Sequence, residues 1–118
     1  MRFFSMQKRR PANGQWCVIR EKRADGTTYI AGYKRQYFDD DRDFETVVDW
    51  APFPRHVEHD PTGWKSIYRG DDLPTGNCDC LVCCEDVGRN YKAVHFAYFL
   101  DREQRFLARP DVLAFMVI

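Results

Sequence analysis

The chain reads as one pattern written twice. Phe3-Phe4-Ser5-Met6, running on to Pro11, aligns with Trp64-Lys65-Ser66-Ile67, running on to Pro74. Each stretch is aromatic, variable, serine, apolar, then a polar run closed by proline. The match continues without a gap from Pro11–Ile19 onto Pro74–Val82, pairing Cys17 with Cys80, Val18 with Leu81 and Ile19 with Val82. Further on, Tyr29–Tyr33 is matched with His95–Phe99, and Val47, Trp50, Pro52 and Phe53 with Val112, Phe115, Val117 and Ile118. A long fixed period of this kind predicts repeated structural units rather than one irregular fold.

The periodicity within each copy is that of strands. WCVIR (16–20), TTYIAGY (27–33), DCLVCC (79–84), AVHFAYF (93–99) and VLAFMVI (112–118) are short, rich in β-branched or aromatic residues, and bounded by turn signals. Phe3, Phe4 and Met6 read as core-facing residues of a first strand. Ala24-Asp25-Gly26-Thr27 is a hairpin turn, with Val87-Gly88-Arg89-Asn90 in the equivalent place. Asp101 to Ala108 is the best helical candidate, at most two turns long. The expected fold is mainly β: two tandem small β-sheet or SH3-like barrel units, residues 1–54 and 63–118, joined by a polar linker over 55–62. Units so small bury limited cores, so they are expected to pack together with pseudo-twofold symmetry. The wholly apolar Ala114–Ile118 then needs burial as a last strand.

Composition narrows the class. The 44% apolar and 15% aromatic content suffices for packed cores despite 31% charged residues. No apolar run reaches the roughly 18 residues of a membrane span, and Met1–Met6 is too short and too soon charged for an export signal. A cytoplasmic protein with free thiols is therefore expected, and five cysteines, an odd count, fit that. The net charge is zero but zoned: residues 1–38 carry nine Lys or Arg against two acids, and residues 39–60 two against eight. A neutral total disfavours a protein that tracks phosphates.

These residues also resemble an uncharacterised domain of small phage and prophage proteins whose members begin W-I-S-V, reach L-P, continue V-L-V-Y and close V-T-H-W-M-P-L-P. The second copy supplies Trp64-Lys65-Ser66-Ile67, Leu73-Pro74 and Cys80-Leu81-Val82; the first supplies the ending Val47-Val48-Asp49-Trp50-Ala51-Pro52-Phe53-Pro54. Phe3 stands for the opening Trp, Arg10 for the Leu before Pro11, and the second ending lacks Trp and both prolines. The resemblance implies a phage or mobile-element setting and brings no catalytic residues.

Several motifs invite chemistry. Cys78-x-Cys80-x-x-Cys83-Cys84 has enough thiols for a tetrahedral zinc site. On an extended strand, however, Cys83 points away from Cys78, Cys80 and Cys84, and the aligned first-copy residues are Gln15, Cys17, Arg20 and Glu21. Free thiols serving as small hydrophobes are the expectation, with no metal and no cofactor. Asp39-Asp40-Asp41-Arg42-Asp43 lacks the glycine and glutamate of an EF-hand calcium loop. Lys8-Arg9-Arg10 with Arg20, Lys22 and Arg23 has no groove-reading motif around it, and a solvated strand edge accounts for it. His56 and His59 read as exposed linker residues. A Cys84–His95 pair lacks the further groups that nucleophilic catalysis requires.

The expected function is a non-enzymatic, protein-binding accessory protein of a phage or mobile element, an inhibitor of a host-defence system of the anti-CRISPR kind. Its acidic segment, with Asp39, Asp40, Asp41, Asp43 and Glu45 flanked by the anchors Tyr37 and Phe38, would meet a basic nucleic-acid-binding surface on a host protein. The alternative is a zinc-containing regulatory or nucleic-acid-associated domain. A third possibility is a small-molecule pocket lined by Trp50 and Trp64.

Overall fold

Alternating apolar residues bounded by Gly, Pro and Asp turns give nine strands and almost no helix in the computed structural model, which describes residues 1–34, 46–85 and 93–118. The chain divides into two compact units, Met1–Phe53 and Pro54–Ile118. The first unit is one antiparallel sheet of β1 (Phe4–Ser5), β2 (Cys17–Lys22), β3 (Thr28–Lys34) and β4 (Val47–Pro52), in the order β1-β4-β2-β3. The second contains β5 (Lys65–Ser66), β6 (Cys78–Cys84), β7 (Val94–Leu100), β8 (Arg105–Phe106) and β9 (Val112–Val117), in the order β5-β9-β6-β7-β8.

Four strands of the second unit, β5, β6, β7 and β9, repeat the order of β1, β2, β3 and β4, and β8 is an addition at the edge beside β7. Phe4 and Ser5 pair with Trp50 and Asp49, as Lys65 and Ser66 pair with Phe115 and Ala114. Cys17, Val18 and Ile19 face Pro52, Ala51 and Trp50, as Cys80, Leu81 and Val82 face Val117, Met116 and Phe115. Even the irregularity recurs. A register shift falls between Arg20 and Glu21 in one unit and between Cys83 and Cys84 in the other, two positions aligned in sequence. The flanking hydrogen bonds match as well: Met6 N–H donates to Val48 and Ile67 N–H to Leu113, while Phe53 N–H donates to Trp16 and Ile118 N–H to Asp79. A one-residue slip would exchange the two faces of each strand, so agreement at this level follows from the same order of apolar residues along the paired strands.

The two cores share four equivalent positions and differ elsewhere: Met6 is buried, whereas its counterpart Ile67 is exposed. In the first, Met6, Cys17, Ile19, Val47 and Trp50 are buried together, with Phe4 packed against them. In the second, Cys80, Val82, Cys84, Phe99, Phe106 and Phe115 form the cluster, and Val112 takes the place of Val47. The opposite faces of β2 and β6 are buried too, at Val18, Leu81 and Cys83. β9 lies between β5 and β6 as an inner strand; of the apolar Ala114–Ile118, expected to be buried throughout, only Ala114 and Phe115 are buried, Met116 and Ile118 are half-buried and Val117 is exposed.

Four expectations are corrected. Tyr29–Tyr33 does not correspond to His95–Phe99: Val18 pairs with Tyr33 and its counterpart Leu81 with Phe96, so Tyr33 answers to Phe96 and the match slips by three residues. The separation across the hairpin is the same in both units, fifteen residues from Val18 to Tyr33 and from Leu81 to Phe96, so the gapless match of Pro11–Ile19 runs on through it. Within it β3 carries a bulge of its own: Ala31 is skipped in the pairing and Gly32 adopts φ +106°, which a β-carbon would strain. Asp101–Ala108 is not helical. Gln104 turns the chain left-handed at φ 53°, and β8 folds back on β7 to bring Phe106 between the rings of Phe99 and Phe115, at 5.0 and 5.5 Å. Residues 55–62 belong to the second unit: the Trp64 indole N–H donates to the Arg55 carbonyl at 3.1 Å, and His56 is buried rather than exposed. Phe3 is half-buried outside the core cluster, where the Arg20 guanidinium lies 3.6 Å above its ring.

Candidate interaction surface

The expected partner-binding residues Tyr37, Phe38, Asp39, Asp40, Asp41, Asp43 and Glu45 lie outside the described residues. The structure does place the other candidates. Trp50 and Trp64 are core residues, each with its indole N–H bonded to a backbone carbonyl of its own unit, Arg9 at 2.7 Å and Arg55 at 3.1 Å. Much of the basic amino-terminal half lies against its own aromatics. Arg2 and Arg9 stack on Phe4, Arg20 covers Phe3 while pairing with Asp49 at 2.9 Å, and Arg23 lies over Tyr29. Long cationic side chains in this posture shield apolar surface and keep their charge near water.

The cysteines follow the strand period. Cys78, Cys80 and Cys84 face the second core, and Cys83 lies outside that cluster. Burial pushes the Cys17 and Cys83 thiols up from the ordinary 9.0 to about 11 and drives Cys80 higher still, because a thiolate would be desolvated there. Among the described residues, no group of three or more His, Cys, Asp or Glu side chains is placed to hold a metal ion. His95 stands opposite Val82 on β7.

The most exposed large apolar side chain in the described residues is one that the sequence pattern did not single out. Tyr68 is 82% exposed, at the tip of the turn that follows β5. The turn is tied at its base from both sides. Ser66 N–H donates to the Asp71 carboxylate at 2.7 Å, and Asp71 N–H donates back to the Ser66 carbonyl at 3.2 Å. Arg69 braces it further, donating to the same carboxylate at 2.9 Å and to the Trp64 carbonyl at 3.1 Å. The Ser66 amide and the Arg69 guanidinium hold the Asp71 carboxyl below its ordinary value. Gly70, at φ +71°, closes the turn through an N–H bond to Ile67 O, in a conformation L side chains rarely adopt. A tyrosine ring is thus held in water by a pre-formed loop.

Beside this turn is an open hollow of about 580 Å³ whose lining includes Asp71, Asp72 and Asp101. Asp101 is fixed there by its own N–H bond to the Asn77 side chain at 2.8 Å. The surface therefore combines one protruding aromatic ring with the carboxylates of Asp72 and Asp101, while that of Asp71 is paired with Arg69. Ser-x-x-x-Gly-Asp was available in the sequence as a turn signal, but the strand-like Ser66-Ile67 match masked it. No helix among the described residues is long and apolar enough to cross a membrane. No protein-family model, curated protein or solved structure matches the chain.

Proposed function

We propose that the protein is a non-enzymatic binding protein that presents Tyr68 and its neighbouring carboxylates to a basic surface on a partner protein. The braced Tyr68 carries this proposal. Ordering an exposed side chain and its loop costs free energy at association, and a turn already closed by Ser66, Arg69 and Asp71 has met most of that cost in the free protein. Tyrosine is also among the residue types that dominate interface energies, because it contributes a large rigid ring with only two torsions. Asp72 and Asp101 would steer a positively charged partner and fix its register, with Asp71 kept to holding the turn through Ser66 and Arg69. The acidic segment from Asp39 to Glu45, with Tyr37 and Phe38, would extend the same electrostatic preference.

The phage setting implied by the resemblance puts the partner among bacterial host proteins. A nucleic-acid-binding defence complex, whose working surface is basic, is the proposed class, and the protein would act by occluding that surface.

The experiment is affinity capture from a bacterial host, identification of the bound protein, and measurement of its Kd for three chains. Tyr68→Ala should weaken binding about 30-fold, the loss of about 2 kcal/mol that marks a hot spot. Reversal of Asp40, Asp41 and Asp43 to Lys should weaken it at least about tenfold at low salt. A partner bound equally well by both variants would exclude both surfaces.

A further inference from the structure

β6 sets two thiols side by side: Cys78 and Cys80 project onto the same face of the strand with their Sγ atoms 3.6 Å apart. The first unit demonstrates that the scaffold does not need this pair. Its register-equivalent residues are Gln15 and Cys17, and Cys17 Sγ lies 3.5 Å from the Gln15 carbonyl, much as Cys80 Sγ lies 4.0 Å from that of Cys78. The buried thiol is common to both units. The second, half-buried thiol is an addition confined to one of them.

What two such sulfurs can bind follows from distance and coordination number. A direct disulfide is poorly served, because residues i and i+2 of an extended strand stand about 6.6 Å apart at Cα, near the upper limit of about 6.8 Å for a disulfide. A linear two-coordinate ion with bonds of about 2.3 Å would need sulfurs about 4.6 Å apart, well beyond the observed separation. Zinc would need four ligands, and no third one is placed nearby among the described residues. A single bridging atom with bonds of about 2.3 Å would subtend about 100° at the 3.6 Å separation, the angle of a pyramidal three-coordinate centre.

We propose that Cys78 and Cys80 form a dithiol site for one pyramidal, thiophilic centre of the trivalent-arsenical class. An arsenical R–As=O would react without any change of oxidation state. Two As–S bonds form, the As=O bond breaks, and both thiol protons leave with that oxygen as water. The product is neutral, which suits a site walled by Leu73, Ala97 and Phe99, where burial makes a thiolate at Cys80 costly. Half-buried Cys78 is the point of first attack, and Cys80 closes the ring.

The probe is phenylarsine oxide, added to the full reduced chain and followed by intact mass and by a count of free thiols after denaturation. One adduct should form, and the five free thiols should fall to three. Cys78→Gln, which copies the first unit, should keep the wild-type circular dichroism and lower the apparent affinity at least about a hundredfold. Cys78→Ser should do the same if the glutamine variant fails to fold. Cys17→Ala and Cys83→Ala should leave the adduct intact. An adduct that survives Cys78→Gln at full affinity, or a wild-type chain that retains all five thiols, would overturn the assignment.

Discussion

Trp50→Phe tests what the first core depends on. The position is one of the equivalences between the units, and its counterpart Phe115 shows that a phenyl ring fits the scaffold. Trp50 is 2% exposed, packs at 5.2 Å against the Phe4 ring, and donates its indole N–H to the Arg9 carbonyl at 2.7 Å. Replacing it by phenylalanine removes that hydrogen bond, worth about 1 kcal/mol, and strands a carbonyl beneath the loop. It also takes away about 40 Å² of buried apolar surface, a further loss of about 1 kcal/mol at about 25 cal/mol per Å². The expected destabilisation is therefore about 2 kcal/mol. In urea this lowers the midpoint by about 1 M at an unchanged slope, for a slope of about 2 kcal/mol/M. Far-UV circular dichroism is the appropriate signal, since the substitution alters tryptophan fluorescence directly. A loss below about 0.5 kcal/mol would mean that water satisfies the Arg9 carbonyl, and the indole N–H would no longer explain why tryptophan stands there.

Two further outcomes follow from the same structure. Deleting Phe115–Ile118 removes half of β9, an inner strand, together with the buried Phe115, so the truncated chain should fail to fold; an unchanged melting curve would show that this half of β9 is dispensable. Stability should fall in alkali because Cys17 and Cys83 hold their protons more tightly when folded, up to about 11 against an ordinary 9.0. Between those values the unfolded chain binds fewer protons than the folded one, so the contribution is complete below about pH 9 and declines as pH rises towards about 11. Cys17→Val should flatten the slope of Tm against pH over that window, and identical slopes would refute the linkage.

Strand positions were legible because Cys17–Ile19 and Cys80–Val82, buried on both faces, read as short unbroken apolar runs bounded by turn residues. Register across the first hairpin was not. The bulge at Ala31 and Gly32 and the differing connections over 23–27 and 85–93 leave the separation unchanged, fifteen residues from Val18 to Tyr33 and from Leu81 to Phe96, but the residues so matched, 29–33 and 92–96, share no identities that would reveal it. β8 was hidden because two residues, Arg105 and Phe106, are too few for any period, and their place is set by the ring stack around Phe106. His56 looked solvated in a polar segment, yet that segment is drawn in where Arg55 receives the Trp64 indole and Glu58 N–H donates to His56 Nδ1. Such contacts are tertiary, and no local pattern announces them.

The correspondence between the two units separates scaffold from candidate function. Where the copies agree in chemistry, at Cys17 and Cys80, Ile19 and Val82, Val47 and Val112, or Trp50 and Phe115, the shared requirement is a buried apolar side chain. Where they differ, the scaffold has tolerated two answers and the choice is free for another purpose. Tyr68 answers to Gln7 and Cys78 to Gln15, so both features proposed to act on other molecules arise where the first copy carries a glutamine. Glutamine at 68 or at 78 is therefore the natural replacement for probing each feature. It restores what one unit already folds around and removes only the ring or the thiol, which separates loss of binding from loss of structure.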